Sequence, residues 1–256
     1  MADVILETRG LTKHYGGVHA LNDADFILHK GEHVAIMGDN GAGKSTFVRN
    51  ITGVERPTRG QIVFDGAHME FASPIHAREA GIEAVFQNLA LADDLDVPSN
   101  LFLGREKVRL RLGPFSILDK RAMREAAVAA LEKTAVKIPN LSNTIRNMSG
   151  GQRQCVAIAR TAAFRSKLVI MDEPTAALGV QETAQVENIV RNLKAQGESL
   201  ILISHNMRQV FDLVDRIVVF RRGRIVANLR KEETDGQDVV AYITGAKTGA
   251  EYAGAP

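Results

Sequence analysis

The chain reads as an α/β protein with three parts: a parallel-sheet core, an antiparallel β subdomain and an inserted helical subdomain. Three observations predict this. Short apolar runs of buried-strand character each close on a polar or glycine position: Val34–Met37 on Gly38, Ile82–Phe86 on Gln87, Leu168–Met171 on Asp172, and Leu200–Ile203 on Ser204. Near the N-terminus, two alternating runs flank a pair of glycines. Between Gln87 and Asp172 lies an interval far longer than one βαβ unit, which takes roughly 30 residues in all.

Each element follows from its pattern. Val4–Leu6 and Ala24–Leu28 alternate apolar with polar residues, and Lys13–Ala20 between them carries Gly16-Gly17, so an antiparallel strand pair is expected. Val34–Met37 reads as a buried strand and residues 43–52 as a helix. Gln61–Phe64 is a strand ending in the turn signal Asp65-Gly66, and Ile82–Phe86 is another. No strand is expected from there to Lys167; Arg121–Lys133 and Ser149–Phe164 read as helices. Leu168–Met171 resumes the sheet, followed by a helix over Val180–Ala195 and a strand over Leu200–Ile203. A hairpin joins Ile217–Phe220 to Arg224–Ala227 through Arg222-Gly223, and a short helix lies near Gln237–Ile243. This places the core at about residues 1–87 and 165–246, the helical subdomain at about 88–164, and a flexible tail at 247–256.

Bulk properties narrow the function. The 256 residues are 45% hydrophobic and 24% charged, as an ordinary globular chain is, and suffice for one substantial domain. A net charge of +2 is too small to argue for a nucleic-acid partner, and the basic cluster Arg221, Arg222 and Arg224 reads as a solvated hairpin tip. The single cysteine, Cys155, excludes an intramolecular disulfide and reads as a packed helix position. The first residues lack a signal-peptide pattern, and no window approaches 18 consecutive apolar residues. Any work at a membrane is therefore expected to go through a partner.

Gly38-Asp39-Asn40-Gly41-Ala42-Gly43-Lys44-Ser45 matches G-x-x-x-x-G-K-[ST] in full, after a strand and before a helix. The glycines let backbone N–H groups wrap phosphates, Lys44 supplies a charge for the β- and γ-phosphates, and Ser45 offers a hydroxyl to Mg²⁺. The core is thus predicted to be a P-loop NTPase. A strand emerging at Asp172-Glu173 places one carboxylate by the metal and a second where it can take a proton from, or orient, an attacking water. His205 and Gln87 end their strands at the same carboxyl edge; His205 reads as a γ-phosphate contact and Gln87 as a contact to Mg²⁺ or the water. The six other histidines are placed in turns or amid polar residues and assigned no role. Met148-Ser149-Gly150-Gly151-Gln152 opens a helix with a hydroxyl and two glycines, leaving N–H groups free for an anion. One nucleotide needs one cradle, which suggests that this second one serves a nucleotide held elsewhere.

These residues, in this order, resemble the ATP-binding subunits of ABC transporters, from about Leu6 to Gly245. The resemblance implies that ATP is held by Gly38 through Ser45 and by Thr46, with Tyr15 stacking on adenine. It makes Gln87 the Q-loop, Asp172 and Glu173 the Walker B pair, His205 the switch histidine, and Ser149–Gln152 the signature, with Met148 where Leu is usual. It further implies a head-to-tail dimer in which each P-loop faces the other subunit's Ser149, Gly150, Gly151 and Gln152. One departure stands out: Gly179 occupies a position where most members carry Asp. Gly38–Gly41, Phe102–Glu106, Ala176–Val180 and Ala241–Gly245 are similar to the monosaccharide importers of the ribose, xylose and fructose type. A single-module chain of that kind would pair with itself, sit on the cytoplasmic face of the membrane against permease subunits, and meet a substrate-binding protein indirectly. An exporter, or a nucleic-acid- or ribosome-associated member of the family, is the competing expectation.

Overall fold

The computed structural model describes residues 3–112, 115–164 and 166–248, so the expected tail lies outside it from residue 249 on. In chain order the strands are β1 (Val4–Tyr15), β2 (Val18–His29), β3 (His33–Met37), β4 (Arg59–Phe64), β5 (Ala67–His68), β6 (Ile82–Val85), β7 (Val108–Leu112), β8 (Phe115–Leu118), β9 (Leu168–Asp172), β10 (Ser199–Ile203), β11 (Arg216–Arg221) and β12 (Arg224–Arg230). The helices are α1 (Lys44–Ile51), α2 (Pro74–Ala80), α3 (Val97–Leu101), α4 (Lys120–Lys133), α5 (Gly150–Ala162), α6 (Val180–Ala195), α7 (Met207–Leu213) and α8 (Gly236–Thr244). They form two compact units: Met1–Ala84, Ser166–Glu173 and Lys194–Pro256 in the first, Val85–Arg165 and Pro174–Leu193 in the second.

The first unit carries the sheets. β3 runs parallel to both β10 and β11, and β10 parallel to β9, with β12 closing the edge against β11 as the predicted hairpin. Every residue of β3 and β10 is buried, which explains why they read as unbroken apolar runs rather than alternating ones. Register aligns Ile203 with both Ile36 and Asp172, so Gly38, Asp172 and Ser204 all open on one edge. The second sheet, ordered β2-β1-β4-β5, is antiparallel. Its β1–β2 pair extends well beyond the two predicted runs and turns at Gly16-Gly17, with register shifts that bend the ladder. Phe47 of α1 ties the sheets together, its ring 5.2 Å from Phe26 of β2 and 5.4 Å from Phe220 of β11.

His33 corrects the sequence reading, which placed it with histidines in polar surroundings. It is the first residue of β3 and wholly buried. Its Nε2 lies 3.1 Å from the Glu198 carbonyl, while Nδ1 has no hydrogen-bond partner. Asp215 accepts from the His33 amide at 3.0 Å and pairs with Lys194 at 2.5 Å. Burial, then the Lys194 charge, hold the imidazole below its ordinary value of 6.5. The unfolded chain therefore binds this proton first, and stability falls as pH drops below about 6.5. His33→Leu removes that contribution. Its melting temperature should decline less than the parent's between about pH 7.5 and 5.5, and parallel declines would contradict the assignment.

The second unit is helical, with a core that includes Val97, Leu101, Phe102, Met123, Leu131, Ile145, Met148 and Val156. Asp96 caps α3 through the Ser99 amide at 2.9 Å, and Asp119 caps α4 through Ala122 at 2.9 Å. A strand pair, β7–β8, lies where none was expected. Its signals are present: Val108-Arg109-Leu110-Arg111-Leu112 alternates, and Gly113-Pro114 is a turn dipeptide. The surrounding helical pattern outweighed five residues of alternation.

Candidate active site

β3 delivers the chain into the glycine-rich loop at Gly38. That residue has φ +150°, and a Cβ there would stand 2.3 Å from the Phe220 carbonyl oxygen. Only glycine fits both the conformation and the approach of β11. No side chain caps α1, whose N-cap is Gly43, so the amides of its first turn are left for an anion. Asp39, Asn40, Gly41 and Ser45 are exposed, Thr46 is half-buried, and Ala42 and Gly43 are buried. Lys44 is nearly buried and folds back over the loop, its ammonium donating to the carbonyls of Gly38 (2.7 Å) and Asp39 (2.9 Å). Burial lowers its pKa, opposed by the charges of Glu173, Asp172 and Asp39. This is a cation held by weak acceptors, ready to exchange them for phosphate oxygens.

Asp172, last in β9, is pushed above the usual carboxylate range by burial and by its neighbour Glu173; Lys44 opposes both. Glu173 adopts a left-handed backbone, φ +50°, uncommon outside glycine. Its amide donates to the Ile203 carbonyl at 2.9 Å, which locks the turn to the end of β10. Its carboxylate Oε1 meets His205 Nε2 at 2.8 Å. His205 is itself carried on a braced turn: buried Ser204 donates to Gln209 at 3.0 Å and accepts from the Asn206 amide, and Asn206 caps α7. The sheet edge thus brings the acid, the imidazole and the loop lysine into one unit.

Tyr15 ends β1 and is 44% exposed. Its hydroxyl bonds to Glu55, and the Lys13 ammonium stands 5.3 Å from its ring. Burial and Glu55 raise its pKa, while Thr46 and Arg49 oppose the rise, which puts the tyrosine beside α1. Neither Glu55 nor the Ser204–Gln209 brace was foreseen, because both depend on tertiary contact rather than local pattern.

The remaining predicted residues lie in the second unit. Gln87 is exposed just after β6. Ser149 caps α5, and the expectation of a cradle with free amides needs correction there. Ser149 Oγ accepts from the Gln152 amide at 3.2 Å, and Gln152 Oε1 accepts from the Ser149 amide at 3.0 Å. This capping box occupies two of the N-terminal donors, and leaves those of Gly150 and Gly151 to an anion. The S-x-x-Q spacing could have been read for it. Gly151 is buried under Glu182: a Cβ there would lie 2.1 Å from Glu182 Cγ. The same glutamate lies beside Gly179: its Oε2, the free end of the side chain, stands 2.6 Å from where a Gly179 Cβ would be. An aspartate at 179 would meet that carboxylate charge on charge. Cys155, one turn further along α5, is buried, with its thiol pushed up to about 11 by burial and by Glu182, and so is chemically quiet.

A parallel sheet with a P-loop between β3 and α1, and acidic residues at the end of β9, two strands from β3, defines a P-loop nucleoside triphosphatase. The sequence matches the ABC transporter family over residues 21–176. It is 47% identical to the fructose import ATP-binding protein FrcA of Rhizobium meliloti over 95% of each chain. It is 42% identical to the xylose/arabinose import ATP-binding protein XylG of Sulfolobus acidocaldarius over 94% of each. The ribose import ATP-binding protein RbsA 2 of Rhizobium johnstonii is 41% identical, and there the match spans 47% of the relative's length. A nucleotide-free ATP-binding cassette from an ABC transporter superposes with TM-score 0.81 at 26% identity, covering 98% of this chain and all (100%) of that one. The chain belongs to the ABC transporter family, as an ATP-binding and ATP-hydrolysing member.

Proposed function

We propose that this protein powers the import of a monosaccharide through partner membrane subunits, by hydrolysing ATP at the edge where Lys44, Asp172, Glu173 and His205 meet. The Glu173–His205 contact carries the reading, because it joins a potential base to a second polar group at the mouth of a phosphate loop. The names of the fructose, xylose/arabinose and ribose relatives support the sugar.

The phosphates take the first-turn amides of α1, and Lys44 exchanges two carbonyls for β- and γ-phosphate oxygens. Tyr15 stacks on adenine and Thr46 joins the loop contacts. The donors fit a hard cation: Ser45 offers an exposed hydroxyl, and Asp172 a carboxylate whose charge burial disfavours until a cation arrives. These two would hold Mg²⁺, which neutralises phosphate charge when bound. Glu173 orients the water and accepts its proton, and His205 holds the γ-phosphate side of that water. From the sequence, Gln87 is assigned to the metal or the water. Ser149, Gly150, Gly151 and Gln152 of a second copy cover the nucleotide, with the amides left by the capping box as donors. ATP then favours a closed homodimer and hydrolysis releases it. Residues 88–100 pass this motion to the permease at the cytoplasmic face.

The test is ATPase activity of the chain reconstituted with its permease, in the presence of sugar-binding proteins loaded with ribose, xylose or fructose. Stimulation by one loaded binding protein is expected. Stimulation by none of them, with stimulation by a binding protein for another solute class, would reassign the substrate.

A further inference from the structure

Among the described residues, the β7–β8 hairpin forms a two-stranded sheet of its own. Register sets Leu110 opposite Ile117 on one face and Arg111 opposite Ser116 on the other, with a shift between Val108 and Leu110 that places Arg109 in a bulge. Among the described side chains, Leu110 (49% exposed) and Ile117 (52%) stand in solvent on the first face, and Leu118 (42%) on the other. Around them cations predominate; Glu106, beside Lys107, accepts from the Gly104 amide at 3.0 Å. Lys107, Arg109, Arg111 and Lys120 flank or lie on the strands. The single acid between them, Asp119, is engaged in capping α4. Lys107 leans on the Phe102 ring at 5.5 Å. Arg109 and Arg111 are exposed and make no ion pair among the described residues.

A lone two-stranded hairpin is marginal in water and gains from a covering surface. Aliphatic side chains beside unpaired cations suit the interface of an anionic bilayer, where the former enter the acyl boundary and the latter meet head-group phosphates. Two other occupants fit less well. Cytoplasmic loops of membrane proteins carry an excess of Lys and Arg, and would repel this surface. A second copy would bring the same cations against themselves. We propose that the β7–β8 hairpin is a membrane-contact element that binds anionic lipid head groups. This goes beyond the assignment of the ATPase reaction, and does not depend on which sugar is carried.

The chain contains no tryptophan, so Ile117→Trp installs a single indole on the apolar face. The probes are vesicles of phosphatidylcholine alone and vesicles that also contain phosphatidylglycerol. The indole emission should shift to the blue with the anionic vesicles only, and the shift should vanish in high salt. Adding Arg109→Glu and Arg111→Glu should abolish it, while ATP hydrolysis by the soluble chain stays unchanged and reports intact folding. No shift with either vesicle, or an equal shift with both, overturns the proposal. So does a shift that requires detergent-solubilised permease and occurs without lipid vesicles; that result assigns the hairpin to a protein partner.

Discussion

Glu173→Gln keeps ATP binding while hydrolysis falls roughly 10²–10⁴-fold, the range attributed to general base catalysis. The substitution is nearly isosteric, and the Glu173 amide keeps its bond to the Ile203 carbonyl, so the turn that presents the side chain is retained. What changes is the carboxylate facing His205. An amide can still accept a hydrogen bond from the imidazole, but it cannot take a proton from water. The loss should therefore appear in kcat, with ATP affinity within a few-fold of the parent. Steady-state turnover and equilibrium titration with ATP separate the two quantities. A variant that hydrolyses ATP at the normal rate would show that the base lies elsewhere.

Gly38→Ala should abolish measurable ATP binding and lower the melting temperature. The backbone at φ +150° lies outside what an L side chain adopts comfortably, at a cost of about 1–3 kcal/mol. The new methyl would also sit 2.3 Å from the Phe220 carbonyl oxygen. That carbonyl cannot retreat easily: β11 is hydrogen-bonded to β3 and β12, and the Phe220 ring packs on Phe47. The strain alone should depress melting by several degrees in a domain this size, and the loop must shift, carrying away the acceptors that hold Lys44. Gly41→Ala is the control. Its Cβ would meet nothing within 4 Å, although its φ of +76° also penalises a side chain. Thermal melts with and without ATP check both. If Gly38→Ala melts and binds as the parent does, the close approach to β11 does not constrain the loop.

Much of this site could be read from sequence because phosphate loops and metal carboxylates are local devices. The loop needs its glycines and lysine within eight consecutive positions, and Asp172-Glu173 needs only to follow an apolar strand. What could not be read is tertiary. The left-handed backbone of Glu173 depends on its tie to Ile203, thirty positions along the chain by sequence number. His33 looked solvent-facing because the residues before it, Lys30, Gly31 and Glu32, are polar or small, yet strand pairing on both sides buries it. The Ser149-x-x-Gln152 spacing held two meanings at once, an anion cradle and a capping box, and the structure uses it as a cap while sparing the glycine amides. Gly179, a departure from the Asp usual at that position, has the Glu182 carboxylate in the space beside it. The β7–β8 hairpin was legible as alternation but too short to stand out.

The central claim is that a site built on one copy is completed by Ser149–Gln152 of another. Sedimentation velocity of Glu173→Gln, with and without ATP and Mg²⁺, tests it most directly. The account predicts a species of twice the monomer mass that forms with ATP, dissociates when nucleotide is removed, and is lost when Ser149→Arg is added to the variant. A monomer that persists at saturating ATP would contradict it.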